Sequence, residues 1–370
     1  MEKVIVFGVK NIKVRRDVEY FLDDSYQIIG YSDGHYSSDI LDGKPFFRPE
    51  ELCEQKYDFI IVTSQTGKAQ AEIRRILSGL GVPSDKIIRP IILKEGDKTK
   101  SLPDIVTHIE RHYKGEPGLI FGMSYSYMGI YEKKLRFPFF NCSFSGMDIY
   151  YNACVFQYME ERGILSTVEK ALFVIPYYYF DFDMSRSAGE YEEGFTFSMH
   201  RLNDWHNYKM VPGASEYVEN YRMFGKKISE YYHVPMWKEP TNCVHGAPDN
   251  SDMLEPLWFA NHKETESENR NIFAEFYQKI EARRGELILV IPPLYVDGVN
   301  QMSKAALQAK KERFYGILKD MEENLGSIHI YDYLDAFSGR RELFRDTTHL
   351  NSNGAEEFTK LINRDILNAP

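Results

Sequence analysis

The chain lacks any apolar run approaching the roughly 18 residues a membrane-spanning helix needs, so no membrane span is expected. It also has few cysteines. Cys53, Cys142, Cys154 and Cys243 form no Cys-x-x-Cys pair and have no zinc-ligand spacing to histidine. A disulfide framework and a structural zinc site are therefore not signalled, and reduced thiols in a cytosol are expected. A basic excess is missing too: the formal net charge is −10, which argues against a general nucleic-acid binder. A complete glycine-rich nucleotide loop is absent, because the first apolar run ends in Gly8-Val-Lys-Asn-Ile-Lys13, with a single glycine where the dinucleotide fingerprint asks for more.

What is abundant is aromatic. Tyrosine (26 residues) and phenylalanine (24) raise the aromatic share to 14%, and such rings stack on sugars as well as filling cores and interfaces. At 370 residues, with 43% hydrophobic and 27% charged, the chain is long enough for two ordinary globular domains. The N-terminal Met1-Glu-Lys-Val-Ile-Val-Phe-Gly8 is too short an apolar run for a signal peptide, and a cytoplasmic protein is expected.

Strand and helix patterns alternate from the start. Residues 3–8, Tyr26–Asp33 and Tyr57–Ser64 read as strands, Arg16–Leu22 and Lys68–Leu80 as helices, and Lys86-Ile-Ile-Arg-Pro90 closes the unit. That alternation predicts a parallel sheet and a small α/β domain over about residues 1–95. Gly30-Tyr-Ser-Asp33 and Tyr57-Asp-Phe-Ile-Ile61 resemble the second and third strands of Rossmann-like N-terminal domains in bacterial surface-polysaccharide enzymes. The resemblance implies Gly8 and Asp33 as the positions a nucleotide would meet, with Lys10 and Lys13 within reach of a phosphate. The degenerate glycine loop favours a scaffold or interaction module instead.

Charged residues 96–116 read as a linker that includes an amphipathic piece, Asp104–His112. A second α/β unit follows over 117–370: strands at Leu119–Gly122, Pro138–Phe144, Ala171–Pro176, Glu286–Pro292 and Ile328–Tyr331, with helices at Asp148–Arg162, Asn271–Arg284, Ser303–Leu325 and Ala355–Ile362. Residues 177–270 break the pattern with an aromatic, polar stretch too long for a bare loop, so an insertion or lid is expected there.

Two motifs carry chemistry. Gly122-Met-Ser124 ends an apolar strand with a serine poised before a helix, and Asp346-Thr-Thr-His349 places a carboxylate and an imidazole in one loop before the last helix. A serine hydroxyl needs a base to become nucleophilic, and the base needs a carboxylate to fix its tautomer. Ser124, His349 and Asp346 supply those roles, and Ser126 is the rival hydroxyl. The competing structural reading makes Ser124 a helix cap and Asp346 a turn residue bonded to nearby amides.

In this order the two motifs resemble the SGNH (GDSL-like) hydrolase superfamily, over roughly residues 117–368. The resemblance implies a flavodoxin-like three-layer fold, an acyl-Ser124 intermediate, and an oxyanion hole built from the Ser124 backbone N–H and Gly146. The third donor is usually an asparagine in a Gly-x-Asn-Asp motif. Here Ile175-Pro-Tyr-Tyr-Tyr-Phe-Asp-Phe-Asp183 stands in its place, leaving Tyr177, Tyr178 or Asn203 as substitutes.

The expected function is a serine-dependent esterase or O-acyltransferase on a carbohydrate of surface-polysaccharide biosynthesis. The ester chemistry requires no cofactor, although an acyl donor or nucleotide has room in the scheme. The alternative is an inactive scaffold that binds a glycan or partner. A nucleotide-sugar enzyme acting through the N-terminal domain is a third possibility. No metal site is expected: His200, His206, His245 and His262 lie among acids such as Asp204 and Asp249 without a ligand pair, and the i, i+4 pair His108/His112 has no evident third ligand.

Overall fold

The computed structural model describes residues 1–35, 39–64, 66–93, 105–165, 167–184, 206–207, 214–231, 263–296, 301–346 and 348–367. It divides into two compact α/β units: Met1–Thr107 with Thr196–Val234, and His108–Phe195 with Pro235–Pro370.

In the first unit, β1 (Glu2–Phe7), β2 (Tyr26–Ser32), β4 (Lys44–Phe47), β5 (Phe59–Val62) and β6 (Ile87–Ile88) run parallel, in the order β4-β2-β1-β5-β6. β3 (Ile40–Leu41) adds to β4 as an antiparallel hairpin that the sequence does not announce, because both strands are short and Pro45 sits in one of them. Every apolar residue of β1 is used: Val4 and Val6 enter one core, Ile5 and Phe7 the other. A strand covered on both faces needs a continuous apolar run, which is what Val-Ile-Val-Phe supplies. Helix Ile12–Phe21 covers the first face, its Asn11 cap accepting from the Val14 amide, and helix Gly67–Gly79 covers the second.

Part of the expected insertion belongs to this unit. Helix Ala214–Asn220, a wider π turn Tyr221–Gly225 and helix Lys226–Tyr231 place Val218, Tyr221, Met223, Phe224 and Ile228 in the same core as Val4, Val14 and Phe21. Glu216 ties the segment down by bonding Arg74 and Arg89, each at 2.7 Å, and Asn220 Oδ1 accepts from the Ile91 amide at 2.9 Å. Phe224→Ala is therefore expected to destabilise the first unit by about 3–5 kcal/mol, the cost of emptying a fully buried aromatic site. A denaturant melt followed by fluorescence checks this; an unchanged midpoint would mean the segment docks without stabilising.

In the second unit the five strands among the described residues are all parallel: β7 (Gly118–Gly122), β8 (Phe139–Asn141), β9 (Lys170–Val174), β10 (Glu286–Ile291) and β11 (His329–Asp332), ordered β8-β7-β9-β10-β11. Numbered from β7, this is the 2-1-3-4-5 order of doubly wound sheets. β8 is shorter than the apolar pattern predicts because the Asn141 side chain accepts from the Ser143 amide at 3.0 Å and turns the chain out of the sheet. Much of the aromatic surplus is spent here. Phe121 and Phe173, paired across β7 and β9, meet Phe156 and Phe276 edge-on beneath helices Ile149–Glu161 and Glu266–Ala282. Among the described residues every one of the largest fully buried side chains is a tyrosine or phenylalanine, so much of the aromatic content goes into packing. No helix among the described residues is long and apolar enough to cross a membrane.

Candidate active site

Ligands of open parallel sheets collect beyond the carboxyl ends of the strands, and there β7 hands over to helix Ser124–Gly129. Gly122 makes the turn at φ +138°, where a side chain is strained. A Cβ at this position would stand 2.4 Å from the Val174 carbonyl oxygen and 2.6 Å from Ser126 Oγ. Its amide donates to Asn152 Oδ1 at 2.8 Å, and Asn152 is itself held by bonds from Nδ2 to the Asp148 carbonyl and Tyr179 hydroxyl. Gly122→Ala is accordingly expected to lose about 3 kcal/mol or more of stability, from overpacking plus backbone strain. A thermal melt reads it out, and a wild-type midpoint would show that the turn relaxes freely.

The loop carrying Asp346 and His349 is closed at both ends. Phe344 and Leu350 form an antiparallel bridge, the Asn351 amide donates to the Leu343 carbonyl, and Asn351 caps helix Ser352–Asp365 through the Gly354 amide. Gly354 is needed because a Cβ would sit 2.0 Å from the Leu343 carbonyl oxygen. The helix is fixed to the chain after Ser124 by the Tyr131 amide, which donates to Thr359 Oγ1 at 3.0 Å.

These anchors bring three side chains into line. Ser124 Oγ lies 2.8 Å from His349 Nε2, and His349 Nδ1 lies 3.0 Å from each oxygen of Asp346. Asp346 Oδ1 also accepts from the amides of Thr348 and His349, both at 2.8 Å, so the turn bonds of a structural aspartate coexist with the contact to the ring. Burial alone would raise the Asp346 pKa. The bond and charge of the His349 ring, with the Thr348 and His349 amides, outweigh it and hold the carboxyl well below the usual carboxylate range. An ionised Asp346 accepting the Nδ1 proton leaves Nε2 as an acceptor facing the serine hydroxyl, the arrangement that can activate a nucleophile.

Ser126 is occupied elsewhere: it is buried and its hydroxyl donates to the Met123 carbonyl at 2.8 Å. Gly146 lies in the turn after β8 with φ +76°. The Tyr177 hydroxyl donates to Asp332 on β11, two strands beyond β9 from β7's side of the sheet, and burial with that bond pushes its pKa up. Tyr178 sits nearer: its hydroxyl is 3.3 Å from that of Tyr125 and 3.7 Å from Met123 Sδ, and burial raises it to about 12. Asn203 lies outside the described residues, as do His200, His245, His262, Asp204 and Asp249.

Two residues near the site escaped the sequence reading. Tyr125 stacks on the His349 ring with centroids 5.6 Å apart, and burial pushes its hydroxyl well above the usual tyrosine range. Asn152 holds the strand end; an asparagine on the apolar face of a helix was the available signal. A small cleft, with room for about one water molecule, is lined by Ser124, Tyr125, Met128, Pro292, Pro293 and His349.

In the first unit Gly8 and Asp33 end β1 and β2. Gly8 has φ +95°, its amide donates to the Ser32 carbonyl, and the Thr63 hydroxyl, just past the end of the neighbouring β5, donates to its carbonyl. Asp33 is buried and accepts from the His35 amide at 2.8 Å, while Lys10 and Lys13 are exposed. His108 stacks on Phe140 at 5.1 Å; it and His112, their ring centroids 5.2 Å apart, line a groove with Glu116 and Glu132 and belong to no group of three potential metal ligands among the described residues.

A family model described as C2185-like, N-terminal, matches residues 1–88. No curated protein matches the chain. Among solved structures, an acetyl xylan esterase, AlAXEase, is 12% identical, covering 67% of this chain and 99% of its own, with a TM-score of 0.33. That likeness is too slight to carry chemistry across.

Proposed function

We propose that the second unit is a serine-dependent esterase or O-acyltransferase of the SGNH type, acting on O-acyl groups of a carbohydrate, with surface-glycan synthesis as its setting. The observation that supports this reading is the line from Ser124 Oγ through His349 to Asp346, with the serine on a cleft at the carboxyl end of the sheet.

In this scheme Ser124 Oγ attacks the acyl carbonyl while His349 Nε2 takes its proton. Asp346 keeps the Nδ1 proton in place and stabilises the imidazolium. The tetrahedral intermediate collapses as His349 returns the proton to the departing sugar hydroxyl, leaving acyl-Ser124. Water or a second sugar hydroxyl, deprotonated by His349, then attacks the acyl carbon and frees the serine. The Ser124 and Gly146 amides are the proposed oxyanion donors. The Rossmann-like first unit is proposed as a scaffold, since its glycine loop is degenerate and the Gly8 amide, a donor a phosphate would need, is already bonded to the Ser32 carbonyl.

The test is labelling of purified protein by a fluorophosphonate probe, together with acetate release from p-nitrophenyl acetate and from O-acetylated glycans. A folded protein that neither labels nor releases acetate would overturn the reading in favour of a glycan- or partner-binding scaffold.

A further inference from the structure

We propose that Arg345 reads a negative charge on the substrate, so that the acyl ester handled at Ser124 sits on an acidic sugar, one bearing a carboxylate or a phosphate. The inference rests on the acyl-ester reading above.

Arg345 directly precedes Asp346, and its position is set by the same bridge that closes the loop: its amide donates to the His349 carbonyl at 2.8 Å. The side chain is half-buried, and its Nη1 lies 4.0 Å from Met128 Sδ. Met128 stands four residues after Ser124 on the same short helix, so the two share a face, and both line the cleft. The guanidinium is thus one side chain away from the nucleophile.

Several partly buried arginines of this chain are matched to carboxylates: Arg89 to Glu216 at 2.7 Å, Arg313 to Asp181 at 3.1 Å, Arg283 to Glu160 at 3.0 Å. Arg345 has no such ion pair among the described residues, its side-chain partner being a thioether. The adjacent Asp346 is spent on His349 and the loop amides. Partial desolvation of an unmatched charge is unfavourable. A ligand supplying the missing anion recovers that cost, and the planar fork of donors on an arginine matches a carboxylate or phosphate in two bonds. A chain of net charge −10 repels an acidic glycan overall, so a local cation beside the nucleophile is what would admit one.

The test is equilibrium binding to the folded Ser124→Ala protein, which removes turnover from the measurement. The ligands are O-acetylated methyl glycosides of glucose, glucuronic acid and glucose 6-phosphate. The acidic pair should bind about tenfold or more tighter than the neutral sugar, with the gap narrowing as salt rises from about 50 to about 300 mM. Whichever of the pair binds more tightly identifies the anion as carboxylate or phosphate. Adding Arg345→Met should erase the gap, while Arg345→Lys should keep part of it and guards against a folding defect. Equal binding of all three sugars, or a preference that survives Arg345→Met, overturns the proposal. Failure of the Ser124 protein to label with fluorophosphonate would instead strike the acyl-ester reading and leave this binding result legible.

Discussion

Ser124→Ala is expected to abolish fluorophosphonate labelling and to lower ester turnover by about four to six orders of magnitude, the range seen when one member of a cooperating serine–histidine pair is removed. The reason is geometric: the Ser124 hydroxyl is the one that meets His349 Nε2, at 2.8 Å. His349→Ala should cost a similar factor, and the double variant should be no worse than either single one, because the two residues act as a unit. Ser126→Ala provides the contrast. Its hydroxyl is committed to the Met123 carbonyl, so the change should loosen the turn around Gly122 without removing the nucleophile. Persistent labelling of folded Ser124→Ala, or labelling lost in folded Ser126→Ala, would place the nucleophile elsewhere.

Asp346→Asn is expected to lower turnover by about 10⁴-fold with little change in KM. An asparagine oxygen can still accept from the Thr348 and His349 amides, so the loop should keep its shape. What changes is the tautomer: without an ionised acceptor at Nδ1, the ring loses its reason to present a bare Nε2 to Ser124. Circular dichroism and single-turnover rates with p-nitrophenyl acetate separate the two effects. A variant that retains more than about a tenth of wild-type turnover would assign Asp346 to the turn alone.

The same carboxylate has a stability signature. Its pKa is depressed in the folded state, so its contribution is fully present above the unfolded value of about 3.9 and is lost as pH falls towards the folded value. The stability difference between wild type and Asp346→Asn should be constant above about pH 5 and shrink below about pH 4. Because Asp346 stays ionised at any ordinary assay pH, the acid limb of the rate profile belongs to another group.

Much of the fold was legible in the sequence because buried parallel strands need unbroken apolar runs. β1, β2, β5, β7, β9, β10 and β11 all sit within a residue or two of where those runs predict them. The β3–β4 hairpin was not legible, since two short strands with a proline carry no periodic signal. Residues 214–231 could not be assigned to the first unit either. Their apolar side chains look the same whichever core they fill, and only the bonds of Glu216 and Asn220 to Arg74, Arg89 and Ile91 identify the partner.

For the candidate site, the sequence by itself determined which chemical groups are available: a serine after a strand-ending glycine, and an aspartate and histidine spaced to share one loop. Local rules suffice there, because a turn and a helix start depend on neighbours a few residues away. Tertiary structure alone decided the rest. It turned Ser126 inward and Ser124 towards His349, put the Tyr125 ring against the imidazole, held Gly122 through Asn152, and left Arg345 beside Met128 with no ion pair among the described residues. Each of those contacts depends on side-chain direction, and all but the inward bond of Ser126 join residues well apart along the chain. Directions of that kind are set by how the sheet and its covering helices close around a shared core.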